Sequence, residues 1–257
     1  MRDPDAAGRP ANPCASCTRR CCHHYIVTVN GYDAWVISSG LRLAPEQFLV
    51  PVAQKTRTPH GFEIDGSGRT YEIALDKAKA RTKEKPCTFW VSLGEGIGRC
   101  GIYPLRPGVC QTYPAHIEAS GLVLRRDDVL CPTEAFGAEV VGAPQWRQRL
   151  RQMQVQYDIY ARAVARWNCH VGRTARPEHL SLFGYYNYLM HFYDRVAEAF
   201  GAGNEYDETA ANECWGRLLA RGFSPLAEDR PEMARWAGLV SAVREVAFGF
   251  FVEELVD

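Results

Sequence analysis

The sequence predicts an α+β fold, in which a cysteine-rich N-terminal module of short strands and helices (residues 1–136) is joined to a helical region of about four helices (residues 137–257). Three observations point to it. Eight of the ten cysteines fall within the first 131 residues, among Pro/Gly turns and short β-branched runs. Composition shifts near residues 135–145, and from there apolar residues recur every three or four positions, the period of a helix face. With 257 residues and 46% apolar composition, the chain can bury a proper core in one domain or two modest ones.

Tyr25 to Val29 alternates and ends in β-branched residues, which predicts a strand. Asn30 is placed to cap a helix over Tyr32 to Ser39, with Asp33 in its first turn and Gly40 as its stop. Pro45 opens a helical turn running to Phe48. Phe62 to Asp65 and Arg69 to Leu75, joined by Gly66-Ser67-Gly68, predict a hairpin. Ile117-Glu118 and Leu122 to Leu124 predict another, turning at Ser120-Gly121.

Beyond the composition shift, Trp146, Leu150, Met153, Tyr157, Tyr160, Val164 and Trp167 step by four and three, as do Leu182, Tyr186, Leu189, Tyr193, Val196 and Phe200. These stripes predict two antiparallel helices whose aromatic residues pack in a core rather than line a pocket. A third helix is expected over Thr209 to Ala220. A fourth starts at Asp229, where Asp229 and Glu232 form the N-cap and N3 of a capping box, and it buries Met233, Trp236, Val240, Val243 and Phe250.

The cysteines carry the chemistry. Cys14, Cys17, Cys21 and Cys22 lie within nine residues, and Cys87, Cys100, Cys110 and Cys131 follow singly. Dense cysteine has two common uses, disulfide frameworks and metal sites. Frameworks belong to small secreted domains. The first residues, MRDPDAAGRPANP, are polar and contain no apolar signal stretch, so a reducing cytoplasm is the expected compartment. Adjacent Cys21 and Cys22 are also poorly placed to bridge each other. A metal held through thiolates is therefore the expectation, with all eight cysteines as candidate ligands.

Only one CxxC knuckle is present, whereas a zinc ribbon pairs two, and eight thiolates exceed what one zinc needs. The Cys14-x2-Cys17-x3-Cys21 run together with a remote Cys131-Pro132 suits the iron–sulfur style, although thiolates also suit zinc. His23, His24 and His116 read as surface or core histidines before ligands. Cys169 and Cys214 sit alone in helical sequence and are not candidate ligands. Thirty basic residues balance thirty acidic ones, so no nucleic-acid footprint is expected, and no apolar run is long enough to cross a membrane. The alternating Lys77, Lys79, Arg81, Lys83 and Lys85 read as a solvated loop rather than an anion site.

Taken in order, Cys14-x2-Cys17-x3-Cys21-Cys22, Asp33 at a helix start, Cys87-Thr-Phe, Cys100-Gly-Ile-Tyr103, Arg106-Pro107-x2-Cys110, Tyr113-Pro114 and Cys131-Pro132 resemble the CxxCxxCC, or YkgJ-like, cysteine-cluster family. The likeness spans about residues 14–132. It implies a cysteine-bound zinc, iron or iron–sulfur centre in a cytoplasmic bacterial protein. More distantly the chain is similar to the flagellin lysine N-methylases, which share a cysteine cluster with a CC pair. That likeness implies a four-iron cluster and methyl transfer to protein lysines, and makes an iron–sulfur cluster of the 4Fe-4S type the favoured cofactor, with zinc as the alternative. This chain is shorter than that branch and differs in its first cysteine spacing.

Val91-Ser-Leu-Gly94-Glu-Gly96-Ile-Gly98 has the look of a methyltransferase glycine motif, but Cys100-Gly101 and Pro104 stand where its helix should run, so a hairpin between Cys87 and Cys100 is expected. Pro107 holds Arg106 extended near Cys110, where its guanidinium is a candidate cofactor-binding group or a surface ion-pair partner. Two functions remain open. One is an iron–sulfur centre supporting modification, such as methyl transfer, of a protein, peptide or small molecule. The other is a structural-zinc scaffold that binds a partner without catalysis.

Overall fold

The computed structural model describes residues 21–78, 85–94, 97–118, 123–125, 130–131, 144–174 and 180–199. Mixed helix and strand are present, with small sheets N-terminal and long helices C-terminal. A short helix α1 (Cys21–His24) leads by an extended segment into α2 (Gly31–Leu41). The expected strand at Tyr25 to Val29 is reduced to a single bridge, Thr28 opposite Ala74, flanked by hydrogen bonds from Val29 N to Ile73 O and from Leu75 N to Val27 O. Helix α2 starts as the sequence requires. Asn30 caps it, and Asp33 returns the bond in a reciprocal capping box. It runs through Gly40 rather than stopping there, and ends where Arg42 takes up the left-handed conformation at φ 54°.

A 3-10 turn at Pro45–Gln47 feeds β1 (Leu49–Ala53), which pairs antiparallel with β3 (Thr70–Leu75), and β2 (Phe62–Glu63) pairs with the other side of β3. The sheet order is therefore β1-β3-β2. The Gly66-Ser67-Gly68 turn carries positive φ at both glycines, 70° and 80°. Strands β4 (Trp90–Gly94) and β5 (Ile97–Cys100) form the hairpin expected between Cys87 and Cys100. Its glycines have structural roles: Gly94 sits at φ 92°, and a Cβ at Gly98 would lie 2.1 Å from the Trp90 ring. A 3-10 turn at Tyr103–Leu105 and helix α3 (Gly108–Thr112) follow, neither predicted. Next comes a hairpin of β6 (Ala115–Ile117) and β7 (Val123–Arg125), displaced slightly from the expected positions.

Helices α4 (Pro144–Arg173) and α5 (Leu182–Ala199) carry the predicted stripes. Trp167, late in α4, meets Gly184 and Tyr185, early in α5, while the earlier Tyr160 shares the Gly31 contact with the later Leu189 and Tyr193, so the two helices pack antiparallel. The stripes are core. Tyr160, Tyr186, Leu189 and Tyr193 are all buried, together with Ile37, Phe48, Phe62 and Ile73 from the N-terminal half. One apolar cluster thus joins α2, the three-stranded sheet, α4 and α5. Phe62 stacks on Tyr185 with centroids 3.8 Å apart. The free edge of β2 is covered by α4: Asn168 accepts from Glu63 N and donates to Gly61 O, and Trp167 Nε1 donates to Glu63 O. The expected helices over Thr209 to Ala220 and from Asp229 lie outside the described residues.

Helix α2 meets the C-terminal pair at a point of very close approach. A Cβ on Gly31 would stand 2.5 Å from Tyr193 Cε2 and 2.9 Å from Leu189 and Tyr160. Gly31→Ala is expected to lower unfolding stability by about 1–3 kcal/mol through overpacking, measured by denaturant titration; unchanged stability would show that the three side chains can retreat.

Candidate metal centre

Four separated elements bring thiols to one region. Cys21 opens α1, Cys87 forms an isolated bridge with Lys77, Cys100 ends β5, and Cys110 lies inside α3. Backbone bonds fix the arrangement: Cys87 N donates to Cys22 O at 2.8 Å, and Gly101 N donates to Phe89 O at 2.8 Å. All seven described cysteines carry thiols rather than disulfides. The four interact through their charges. Burial pushes the Cys110 thiol well above its ordinary range, and the negative charges of Cys87, Cys21, Asp33 and Cys100 push it further. Cys87 is raised by burial and then by Cys100 and Cys21, with Lys77 pulling the other way. Cys21 is raised first by its hydrogen bond with the Cys22 thiol, then by burial.

Cys131 has different surroundings. It is buried in a smaller apolar cluster with Ala115, Val123, Trp146 and Leu150, beside Tyr113, whose hydroxyl is pushed up first by burial, then by its bond with Tyr25, and further by the Cys131 charge. Tyr113 in turn bridges toward α1: its hydroxyl donates to that of Tyr25 at 3.2 Å and accepts from Leu130 N at 3.0 Å. Cys14 and Cys17 lie outside the described residues, as does Cys214, while Cys169 is exposed on α4. His23 packs edge-on against Trp90, with centroids 5.0 Å apart, and His24 is exposed. His116 lies on β6 opposite Leu124.

Two residues position the thiols. Asp33 is 5% exposed; its Oδ1 accepts from Gly108 N at 2.9 Å and its Oδ2 from Asn30 N at 3.2 Å. One carboxylate therefore caps α2 and also holds the first residue of the Cys110 helix. Burial pushes its carboxyl up to about 6, against the lowering pull of those two donors. Lys77 is the second, and the solvated-loop reading fails for it. Its ammonium donates to Cys22 O at 3.0 Å and to Tyr25 O at 2.6 Å, tying α1 to the segment that carries Cys87. Lys79, Arg81 and Lys83 lie outside the described residues, and Lys85 is exposed. The position of Lys77, two residues past the end of β3, was the available signal that it differs from the rest of the run.

Arg106 does not reach into an ion pair with a described carboxylate. Its guanidinium lies 3.9 Å over the Tyr103 ring and lines a cavity shared with Asp33. Among the described residues, no three His, Cys, Asp or Glu side chains stand in a geometry that could hold a metal ion. The donor chemistry nonetheless fits a thiophilic ion or cluster, because four interacting thiols, Cys87 buried and the other three half-buried, are a soft, anionic set once deprotonated.

Residues 13–132 match the CxxCxxCC family, described as a putative zinc- or iron-chelating domain. No curated protein and no solved structure matches the chain. The domain contains every candidate cysteine, and its helix α3 rests on α4, which lies beyond it: a Cβ on Gly108 would stand 3.2 Å from Met153. No described helix is long and apolar enough to cross a membrane.

Asp33→Asn is expected to lower stability by about 1–3 kcal/mol, since its amide NH2 would face one of the two N–H donors and leave it unsatisfied. Chemical denaturation measures the loss, and the rate of Cys110 alkylation should rise with it. A variant with wild-type stability and labelling would remove Asp33 as the anchor of α3.

Proposed function

We propose that the CxxCxxCC domain holds an iron–sulfur cluster, 4Fe-4S in type, and that this centre supports modification of a protein, peptide or small molecule. The observation that carries the reading is the mutual interaction of Cys21, Cys87, Cys100 and Cys110. Thiols crowded in this way resist ionising together, and a cationic centre among them reverses that balance. Cys14 and Cys17, seven and four residues before Cys21 in the sequence, are further candidate ligands. A bound cluster would supply electron transfer at a potential set by its charge, hydrogen bonds and exposure.

The chain's own residues would do the rest. Lys77 offsets negative charge at Cys87, and Trp90, made possible by Gly98, stands over α1 against His23. Helix α4 backs the Cys110 helix. A structural zinc is the second reading, favoured by the same four-sulfur set, since a closed tetrahedron of four thiolates is a common structural zinc site. In that case the chain is a scaffold or partner-binding module.

Anaerobic purification followed by iron, zinc and acid-labile sulfide analysis separates the two. Brown protein with iron and sulfide in equal amounts is expected; colourless protein with stoichiometric zinc and no sulfide overturns the cluster. Cys87→Ser and Cys110→Ser should each lose metal and destabilise the domain, the full binding contribution being on the order of 10 kcal/mol. Cys169→Ala, at an exposed position on α4, should keep full metal content. Retained metal in both serine variants would strike Cys87 and Cys110 from the ligand set.

A further inference from the structure

A cavity of about 250 Å³ lies on the α4 side of α3, lined among others by Asp33, Arg106, Gly108, Arg149 and Gln156. Two of its polar atoms are buried without a hydrogen-bond partner, and they are of opposite kind: the Arg106 Nε donor and the Gln156 Oε1 acceptor. Gln156 is only 6% exposed, so its carbonyl is a buried acceptor in the wall of a cavity. The space is kept open by a glycine, because a Cβ on Gly108 would come within 3.3 Å of that same Oε1. Leaving a buried polar group unmet is costly, and two of them in one cavity call for an occupant that carries both a donor and an acceptor.

Charge narrows the class. Arg106 and Arg149 supply two guanidiniums, which favour a carboxylate. Asp33, 5% exposed, adds a carboxylate whose oxygens each accept only one backbone N–H, leaving lone pairs for a further donor. A simple anion would leave Gln156 unmet and face Asp33. A simple cation would face the guanidiniums. We propose that this cavity binds a small zwitterion of the α-amino-acid class, with its carboxylate toward Arg106 and Arg149 and its ammonium toward Gln156 Oε1 and Asp33. The volume lies just below the range of roughly 300–1,000 Å³ usual for ligand pockets, which suits a single amino acid rather than a peptide. The proposal does not depend on which metal the thiols hold.

Calorimetric titration of the metal-loaded full chain with each of the twenty free L-amino acids tests it, with acetate and methylamine as half-ligand probes. At least one amino acid should bind with a Kd at or below about 1 mM, and both Arg149→Ala and Gln156→Leu should weaken that binding tenfold or more. Gln156→Leu removes an unmet acceptor and should melt no lower than wild type; Arg149 is exposed, so its substitution remains a valid probe even if the Gln156 variant does not fold. No amino acid binding at about 10 mM would mean that only water fills the cavity, and would overturn the proposal. Acetate or methylamine binding as tightly as the amino acid, or affinity unchanged by Arg149→Ala, would overturn it as well.

Discussion

Asp33 sits with one oxygen on the backbone N–H of Asn30 and the other on that of Gly108, and the placement of Cys110 follows from this. Residues 30 and 108 are far apart in sequence, so a single buried carboxylate converts a local helix cap into a tertiary tie. Burial opposes its ionisation, and the two backbone donors, at Asn30 and Gly108, pull the other way. Helix α2 is itself held by the aromatic core of α4 and α5, so the position of one sulfur rests on packing outside the cysteine-rich segment.

The thiols form an electrostatically unfavourable group when ionised and a neutral, largely half-buried one when protonated. Cys110 and Cys87 are both raised by burial and by each other's neighbours, and the cation acting against this at Cys87 is Lys77. Lys77 commits its ammonium to two carbonyls at the end of α1 and so shapes the backbone around Cys22 as well as the field at Cys87. One side chain thus bears both on the backbone at α1 and on the field at Cys87, where the backbone hydrogen bond at Phe89 acts in the same direction.

Much of this was legible in the sequence, and the exceptions have physical causes. The capping box of Asn30 and Asp33, the Gly66-Ser67-Gly68 hairpin and the stripes of α4 and α5 depend on local rules and appeared where those rules put them. Strand β1 went unread because Pro51 interrupts its pattern; the structure places it at the sheet edge, where a missing donor is tolerated. The second role of Asp33 was invisible because Gly108 lies seventy-five residues away. Likewise, spacing grouped Cys131 with the other cysteines, while the fold surrounds it with Trp146 and Leu150 of α4. Lys77 was hidden by the company of its run, since composition averages over neighbours that have different surroundings. Gly98 drew attention as part of a methyltransferase-style glycine run, whereas its use is to leave room for the Trp90 indole across the hairpin.

The sulfurs of Cys21, Cys87, Cys100 and Cys110 come from four elements, and the last of them is supported by α4. During synthesis, Cys21 emerges long before any of its partners, and Cys110 reaches its place only after residues 144–173 have left the ribosome to back it. A growing chain therefore presents loose thiols for most of its translation and gathers them late. On the reading proposed above, loading of the centre falls at the end of folding rather than at its beginning.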